Sequence, residues 1–377
     1  MFNNLWYPKQ SPVQGVGGLW GGNFGNLVSG PTQTIDGDTV FVGVTRDRDG
    51  PSLQEVRDLM QGTDISWKND TSRLNVSSGI AVFTIATTGT YRIRVGGARG
   101  GANYRSGDFY ARQDAPGALM QADFALSSGN KMAMVLGSEG DPGFGNLNTG
   151  SNAGGGTFLW DSSSQSSPYT GGVGGSTLLL AAGGGGSTCP EGQLGGQTGQ
   201  MQGQTSTSAA TPYAPGGAVG TPGTNGTGGT EGGTGAYDGG GGAGWMGVGA
   251  NNDISGQRWD GGQDTGQTNP MHGGWGGGGG AHDNQREVNV PGVGNVPWAH
   301  GRAGGGGYSG GCGGHYQHSG AGGGSYCKNS AVANSLTTSN GTFAITGSEH
   351  STAYSGSVAN LGEYNAGPGF ISFTFIS

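Results

Sequence analysis

The sequence predicts a mostly β protein, in which a jelly-roll-like antiparallel sandwich carries an inserted bundle of polyglycine II helices and one short α-helix. Two observations lead to this fold class. Glycine accounts for 90 of the 377 residues and is concentrated between Gly183 and Cys327. Segments with the apolar pattern of β-strands lie on both sides of that stretch. The glycine-rich part is therefore predicted to be an insertion within a β domain.

The glycine-rich stretch shows neither a helical nor a strand period of apolar residues. Ordering a backbone costs roughly 1–2 kcal/mol per residue, and glycine has no side chain whose burial offsets that cost. Order here therefore requires backbone pairing between close-packed chains, which left-handed helices with three residues per turn permit. A collagen-like helix is excluded because Gly239–Ala250 breaks the strict Gly-X-Y period. The purest runs are Gly183–Gly186, Gly239–Gly242, Gly276–Gly280 and Gly304–Gly307.

The β domain is predicted from short apolar segments bounded by turn residues. We assign residues 76–182 to its first part and residues 328–377 to its closing strands, with the bundle spanning residues 183–327. Two strand pairs and two further strands are predicted before the bundle, and two single strands after it. The pairs are Ile80–Ala86 with Thr90–Ala98 and Leu119–Leu126 with Lys131–Leu136, and the further strands are Thr157–Trp160, Ser176–Ala182, Thr342–Thr346 and Phe370–Ile376.

Residues 31–75 are predicted to form a small linker region with one strand and one helix. Thr39–Val44 has the composition of a short strand. Ser52 and Glu55 have the spacing of a capping box, in which each side chain accepts a hydrogen bond from the other residue's N–H group. Gly62 supplies the stop signal of the helix.

Residues 1–30 are predicted to be an arm rather than a domain, since large apolar residues are set among Gly, Asn and Pro and cannot form a core of their own. Free chain ends usually fray unless something holds them. The arm is expected to anchor the chain to another protein, or else to fold over its own domain. The anchoring candidates are Phe2, Leu5, Trp6, Tyr7, Leu19, Trp20 and Phe24.

Four segments carry a resemblance to a known family: Thr90–Gly101 (TYRIRVGGARGG), Met134–Gly140 (MVLGSEG), Gly174–Gly186 (GGSTLLLAAGGGG) and Asn365–Ser372 (NAGPGFIS). Over residues 79–377 the sequence resembles the glycine-rich extracellular domain of the anaplastic lymphoma kinase and leukocyte tyrosine kinase receptors. The resemblance implies a TNF-like β-sandwich that carries polyglycine II helices. The sequence differs in lacking a kinase domain and most of the cysteines, so receptor signalling is not implied.

A second resemblance concerns the order of the parts, an N-terminal arm followed by a glycine-rich region. It is similar to the tail-fibre tip adhesins of some T-even-like phages, in which loops of a polyglycine II bundle contact host receptors. The first residues, MFNNLWYPK, lack the features of a secretory signal. We therefore expect a protein that is assembled in the host cytoplasm and exposed on the surface of a virion.

Composition excludes several classes of function. The formal net charge is −8 and only 11% of residues are charged, which argues against nucleic-acid binding. No apolar run is long enough for membrane insertion. Three cysteines, Cys189, Cys312 and Cys327, are too few for a disulfide framework, and a bridge between the last two is left open.

No enzyme, cofactor or metal site is predicted. Matches to G-x-G-x-x-G arise by chance in so glycine-rich a chain, and none follows a strand and opens a helix. Cys312, His315 and His318 offer potential zinc ligands, with Cys327 or His282 as a conceivable fourth, but their spacing is not that of a zinc finger. No pair of carboxylates is placed for glycoside hydrolysis.

Aromatic residues within the glycine-rich stretch are the candidates for receptor contact, because rings can stack on sugars or grip apolar patches. The alternative is that the rings seal the bundle and give it a side-chain core. The loops Thr205–Pro215, Asn251–Pro270 and His282–His300 are expected to be exposed. The candidates are Tyr213, Tyr237, Trp245, Trp259, Trp275, Trp298, Tyr308 and Tyr316.

Together these features predict a structural tail fibre or appendage protein of a tailed phage with an adhesin domain. Its expected partners are other virion proteins, bound through residues 1–30, and a host cell-surface receptor or glycan, with homo-oligomerisation left open. The alternatives are a capsid decoration protein and a free-standing ice-binding or extracellular ligand-binding protein. An ice-binding face would need a regular threonine ladder, which one stretch approaches: Thr221, Thr224, Thr227, Thr230 and Thr234.

Overall fold

The computed structural model describes residues 37–44, 48–63, 65–101, 115–140, 151–165, 178–188, 201–211, 220–233, 238–250, 255–258, 261–262, 272–281, 283–290, 294–299, 301–315, 318–333, 335–339, 359–360 and 367–377. The prediction of a mostly β protein is confirmed, because strands predominate and α1 (Leu53–Leu59) is the one helix of these ranges. The arm, residues 1–30, and the predicted strand Thr342–Thr346 lie outside them.

The strands of the described ranges are β1 (Thr39–Val42), β2 (Leu74–Ser77), β3 (Ile80–Thr84), β4 (Gly89–Gly96), β5 (Leu119–Leu126), β6 (Lys131–Val135), β7 (Thr157–Asp161), β8 (Leu178–Ala182), β9 (Asp283–Val290), β10 (Gly294–Ala299), β11 (Tyr326–Cys327), β12 (Thr337–Ser339), β13 (Ala359–Asn360) and β14 (Phe370–Phe375). Sheet 1 has the order β1-β14-β4-β5-β12-β13 and sheet 2 the order β11-β8-β7-β6-β3-β2, while β9 and β10 form a separate hairpin. Neighbouring strands are antiparallel except for β12 and β13.

The two sheets form a sandwich around a shared apolar core. Rings and aliphatic side chains from both inner faces pack together, and the Phe83 and Phe373 ring centroids, from opposite sheets, lie 5.3 Å apart. Sheet 1 contributes Ile93, Met120 and Phe124 to the core, and sheet 2 contributes Met134, Leu159 and Leu180.

Both predicted strand pairs are wrong. β3 pairs with β2 and β6, whereas β4 pairs with β5 and β14, so the two strands lie in different sheets. The same holds for β5 and β6, whereas the two further predicted strands, β7 and β8, pair with each other. A short connection can join two strands of one sheet or step between facing sheets, and the apolar alternation of the strands is the same in both cases.

The described part of residues 31–75 packs into the sandwich. β1 is an edge strand of sheet 1, and β2, which extends to Ser77, is an edge strand of sheet 2. The capping box of α1 is confirmed, because Glu55 N–H donates to Ser52 Oγ at 3.3 Å and Ser52 N–H donates to Glu55 Oε2 at 2.8 Å. Val56 anchors the helix in the sandwich core.

The glycine-rich segments pack around one another through backbone hydrogen bonds. Segment 183–188, which follows β8, bonds to six other segments, and segment 301–307 also bonds to six. Six neighbours is the number expected for hexagonally packed rods. One backbone hydrogen bond to each of these six neighbours, written from donor to acceptor, is Gly184 to Gly306, Gly185 to Ala98, Gly186 to Met201, Ala118 to Gly183, Gly323 to Gly184 and Gly154 to Gly185.

The direction of these hydrogen bonds repeats every three residues. Gly184 and Ser187 both donate to segment 301–307, and Gly304 and Gly307 both donate to segment 238–244. A helix with three residues per turn points every third N–H group toward the same neighbour. The polyglycine II conformation stays a prediction, and this period is the one that it requires.

Backbone packing explains why glycine is needed. A Cβ atom on Gly154 would lie 2.5 Å from the carbonyl oxygens of both Ala98 and Arg99, and one on Gly304 would meet the Gly311 carbonyl. The pairing also reaches beyond residues 183–327, because segments 97–101, 115–118, 136–140 and 151–156, which lie between sandwich strands, join it.

The bundle also covers the outer face of sheet 2. Trp245 and Trp275 are buried there against the outward-facing residues Phe158 and Trp160, with the partly buried Tyr308 beside them. Sheet 2 is thus buried on both faces, which explains why β8 (LLLAA) lacks a polar face.

The sandwich has two distinct ends. Glycine-rich segments leave one end, after Gly96 of β4 and after Ala182 of β8. The opposite end, here called the sandwich base, contains Gly89 at the start of β4 and Phe375 at the end of β14. The described chain begins at the base, since Asp38 N–H donates to the Phe373 carbonyl and Phe375 N–H donates to Asp38 Oδ2.

Candidate functional site

The end of the bundle away from the sandwich is here called the bundle tip. Four short segments meet there through isolated bridges, which pair Gly239 with Ala281, Arg302 with Gly314, and Asp238 with His315. The hairpin β9–β10 occupies residues 283–299, between Ala281 and Gly301, and so it is attached at the tip. The predicted loop His282–His300 is therefore largely a β-hairpin.

The side chains of Asp238 and His315 contact each other at the tip. The Asp238 side chain is fully buried, whereas the His315 side chain is 37% exposed, and His315 Nδ1 contacts Asp238 Oδ1. The backbone of Gly233 packs against the carboxylate, since a Cβ at that position would lie 2.9 Å from Oδ1. Asp238 thus orients an imidazole that solvent reaches. The sequence analysis did not select Asp238, because its partner is distant in the chain.

Among the described residues, Cys312, His315 and His318 are not grouped as metal ligands are. Burial raises the pKa of the Cys312 thiol to about 12, so it is not a thiolate at neutral pH. The part of the chain that the structure describes contains no group of three or more His, Cys, Asp or Glu residues arranged for a metal.

The aromatic candidates divide into four groups, of which Tyr308 is the last. Trp245 and Trp275 are buried against sheet 2, so the packing interpretation applies to them and they do not present a contact surface. Trp298 lies in β10 at the tip. The remaining candidates apart from Tyr308 fall outside the described residues: Tyr213, Tyr237, Trp259 and Tyr316.

Tyr308 belongs to a stacked pair rather than to a free surface. Its ring centroid lies 4.6 Å from that of Tyr326, with an interplanar angle of 28°. Burial raises the pKa of Tyr308, and burial together with Tyr308 raises the pKa of Tyr326 to about 12. Both phenols are therefore neutral at physiological pH, and the pair seals the junction between bundle and sandwich.

The threonines of residues 221–230 line an exposed two-segment turn. The pairs are Thr221 with Thr230 and Thr224 with Thr227, closed by Asn225 and Gly226 at positive φ. The Thr230 hydroxyl accepts from Thr221 N–H, and the Thr227 hydroxyl accepts from Thr224 N–H. Two of the ladder hydroxyls are thus engaged with the backbone, which does not favour an ice-binding face. Thr234 lies outside the described residues.

The anchoring candidates, Phe2 to Phe24, all lie outside the described residues, so the arm stays a prediction. The first described residue, Gly37, lies at the sandwich base. Two apolar residues beside it, Phe375 and Ile376, are each nearly half exposed.

Comparison with known proteins adds no assignment. No protein-family model matches this chain, and no curated protein matches it. Among the described residues, no helix is both long enough and apolar enough to span a bilayer.

Proposed function

We propose that this protein is a structural component of a tailed-phage virion, a tail fibre or appendage whose glycine-rich bundle presents a host-receptor-binding tip. Residues 1–30 hold it to the particle, and it acts as an adhesin rather than as an enzyme. It is assembled in the host cytoplasm and exposed on the particle surface.

One observation supports this proposal above the others. The described chain begins at the sandwich base, and the bundle tip lies at the opposite end of the molecule. An anchoring arm and a contact surface at opposite ends are what an appendage needs, since the contact surface must reach away from the particle.

The construction of the bundle supports the same function. Its interior segments 183–188 and 301–307 are each held by backbone hydrogen bonds to six neighbouring segments, so the tip stands on a rigid support. Binding surfaces are commonly built on loops that a rigid scaffold positions. The sequence resembles the receptor glycine-rich domain and the tail-fibre adhesins, and both resemblances are further support for the proposed function.

The test compares the full chain with a variant that lacks residues 1–30. Each is measured for incorporation into phage particles and for binding to intact host bacteria. The proposal expects the shortened chain to bind cells and to be absent from particles. If both forms join particles and neither binds cells, capsid decoration becomes the better assignment. If neither form joins particles, the virion assignment is wrong.

A further inference from the structure

The hairpin β9–β10 is an incomplete sheet. Its strands pair only with each other among the strands that the structure describes, with Val288 opposite Val296 and Asn289 opposite Asn295. A two-stranded sheet is marginal by itself in water, and each outer edge carries a row of backbone donors and acceptors that a further strand can pair with.

The two outer edges differ. β10 contains Pro297, which has no N–H group, and its register shifts between Pro297 and Ala299. Proline and register irregularities are the features that proteins use to protect an edge from pairing. β9 has eight residues, Asp283–Val290, with no proline. The edge of β10 is therefore blocked, whereas the edge of β9 carries no such block and pairs with no other strand that the structure describes.

We propose that the outer edge of β9 binds an extended segment of a host surface protein, which adds to the hairpin as a third strand. This inference rests on the proposed function and names the chemistry of the receptor. An edge of alternating N–H and C=O groups matches another backbone in register over about 27 Å, the length of eight residues. A glycan has no such repeating backbone.

The position and charges of β9 fit this role. The hairpin is attached at the bundle tip, farthest from the sandwich base where the described chain begins. The charged residues of β9 are Asp283, Arg286 and Glu287, whose positive and negative charges nearly cancel. Recognition therefore depends on backbone pairing, and binding should change little with salt concentration.

The register supplies matched variants for the test. Residues directly opposite in an antiparallel ladder are either both hydrogen-bonded to each other or both directed outward. Asn289→Pro and Asn295→Pro therefore perturb the hairpin equally and differ in which outer edge they block. Val288→Pro and Val296→Pro form the second matched pair and cover the alternate set of N–H groups.

Binding of labelled full-length protein to intact host bacteria is measured for the unaltered protein and all four variants, with untreated, protease-treated and periodate-treated cells. In one of the two pairs the β9 variant should lose about tenfold or more in affinity while its β10 partner keeps binding. Protease treatment of the cells should abolish binding of the unaltered protein.

Three results would overturn the inference. The first is equal loss in both members of each pair, which would mean that the hairpin matters only as a folded unit. The second is no loss in any variant. The third is binding that survives protease but not periodate, which identifies a glycan. If the unaltered protein binds no cells, the proposed function itself fails, which is a separate outcome.

Discussion

The indole of Trp245, from the bundle, packs edge-on against the indole of Trp160 in β7, with ring centroids 5.6 Å apart. Both side chains are fully buried, and the Phe158 ring lies 5.7 Å from the same bundle indole. This contact joins a region stabilised by backbone pairing to one stabilised by an apolar core. Because the bundle interior has few large side chains, its attachment to sheet 2 depends strongly on this indole.

Trp245→Ala should therefore lower the free energy of unfolding by about 3–5 kcal/mol, the range for truncating a buried aromatic side chain. The matched control is the next residue, Met246, whose side chain is 51% exposed, and Met246→Ala should change stability by less than about 1 kcal/mol. Urea unfolding of both variants measures the difference. Equal effects would show that the indole is not a principal attachment.

Gly154→Ala should destabilise the bundle by about 3 kcal/mol or more, because the new methyl group would overlap two backbone carbonyls that cannot move independently. Gly247→Ala is the control, since the nearest atom to its Cβ would be 3.4 Å away, an ordinary contact. Thermal unfolding should separate the two variants by many degrees. A Gly154→Ala protein as stable as Gly247→Ala would contradict the close backbone packing.

Acid should weaken the folded state at pH values below about 6.5. Burial, together with the charge of His315, lowers the pKa of His318, and burial lowers the pKa of His272, with Arg48 adding to the effect. A histidine held neutral in the fold takes up a proton on unfolding. The free energy of unfolding is therefore unaffected by this histidine above its pKa in the unfolded state. It falls as the pH is lowered from that pKa toward the lower pKa in the folded state.

The free energy of unfolding should fall by at most about 1.4 kcal/mol per pH unit for each histidine. Urea midpoints at pH 7.5 and pH 5.5 measure it. His318→Gln removes one titrating group and should make the dependence shallower, whereas a dependence unchanged in both His318→Gln and His272→Gln would assign the acid sensitivity to carboxylates.

The thiols of Cys312 and Cys327 should resist alkylation in the native protein. Burial raises the pKa of both, that of Cys312 to about 12, so almost no thiolate is present at pH 8. Iodoacetamide labelling followed by peptide mapping should modify neither residue before denaturant is added and both afterwards. Rapid labelling of the native chain would show that the packing around these thiols opens readily.

Local signals in the sequence predicted local structure well. The capping box of α1 and the apolar run of β8 are both present, because each depends on neighbouring residues alone. Which strands pair was predicted poorly, since the step from β3 to β4 crosses between sheets without a distinguishing residue pattern.

At the tip, the prediction of a loop over residues 282–300 is wrong for most of its length, because β9 and β10 form a hairpin there. A stronger signal was available, because Pro291-Gly292 is a turn dipeptide flanked by segments that contain Val288, Val290 and Val296. The Asp238–His315 pair could not be found in this way, since it requires knowing which glycine segments are neighbours. Burial of Trp245 and Trp275 likewise depends on how the bundle lies on sheet 2.

The six-fold hydrogen bonding of segment 183–188 has a consequence for how such a protein can evolve. A change at an interior glycine disturbs several neighbouring segments at once, so the bundle interior tolerates little drift. The turns that connect neighbouring segments are free of that restriction. They can vary in length and residue type while the hydrogen-bonded packing of the glycine segments stays the same. A lineage under pressure to recognise new surfaces would therefore accumulate its differences at the bundle tip, and the glycine lattice would pass unchanged from one recognition specificity to the next.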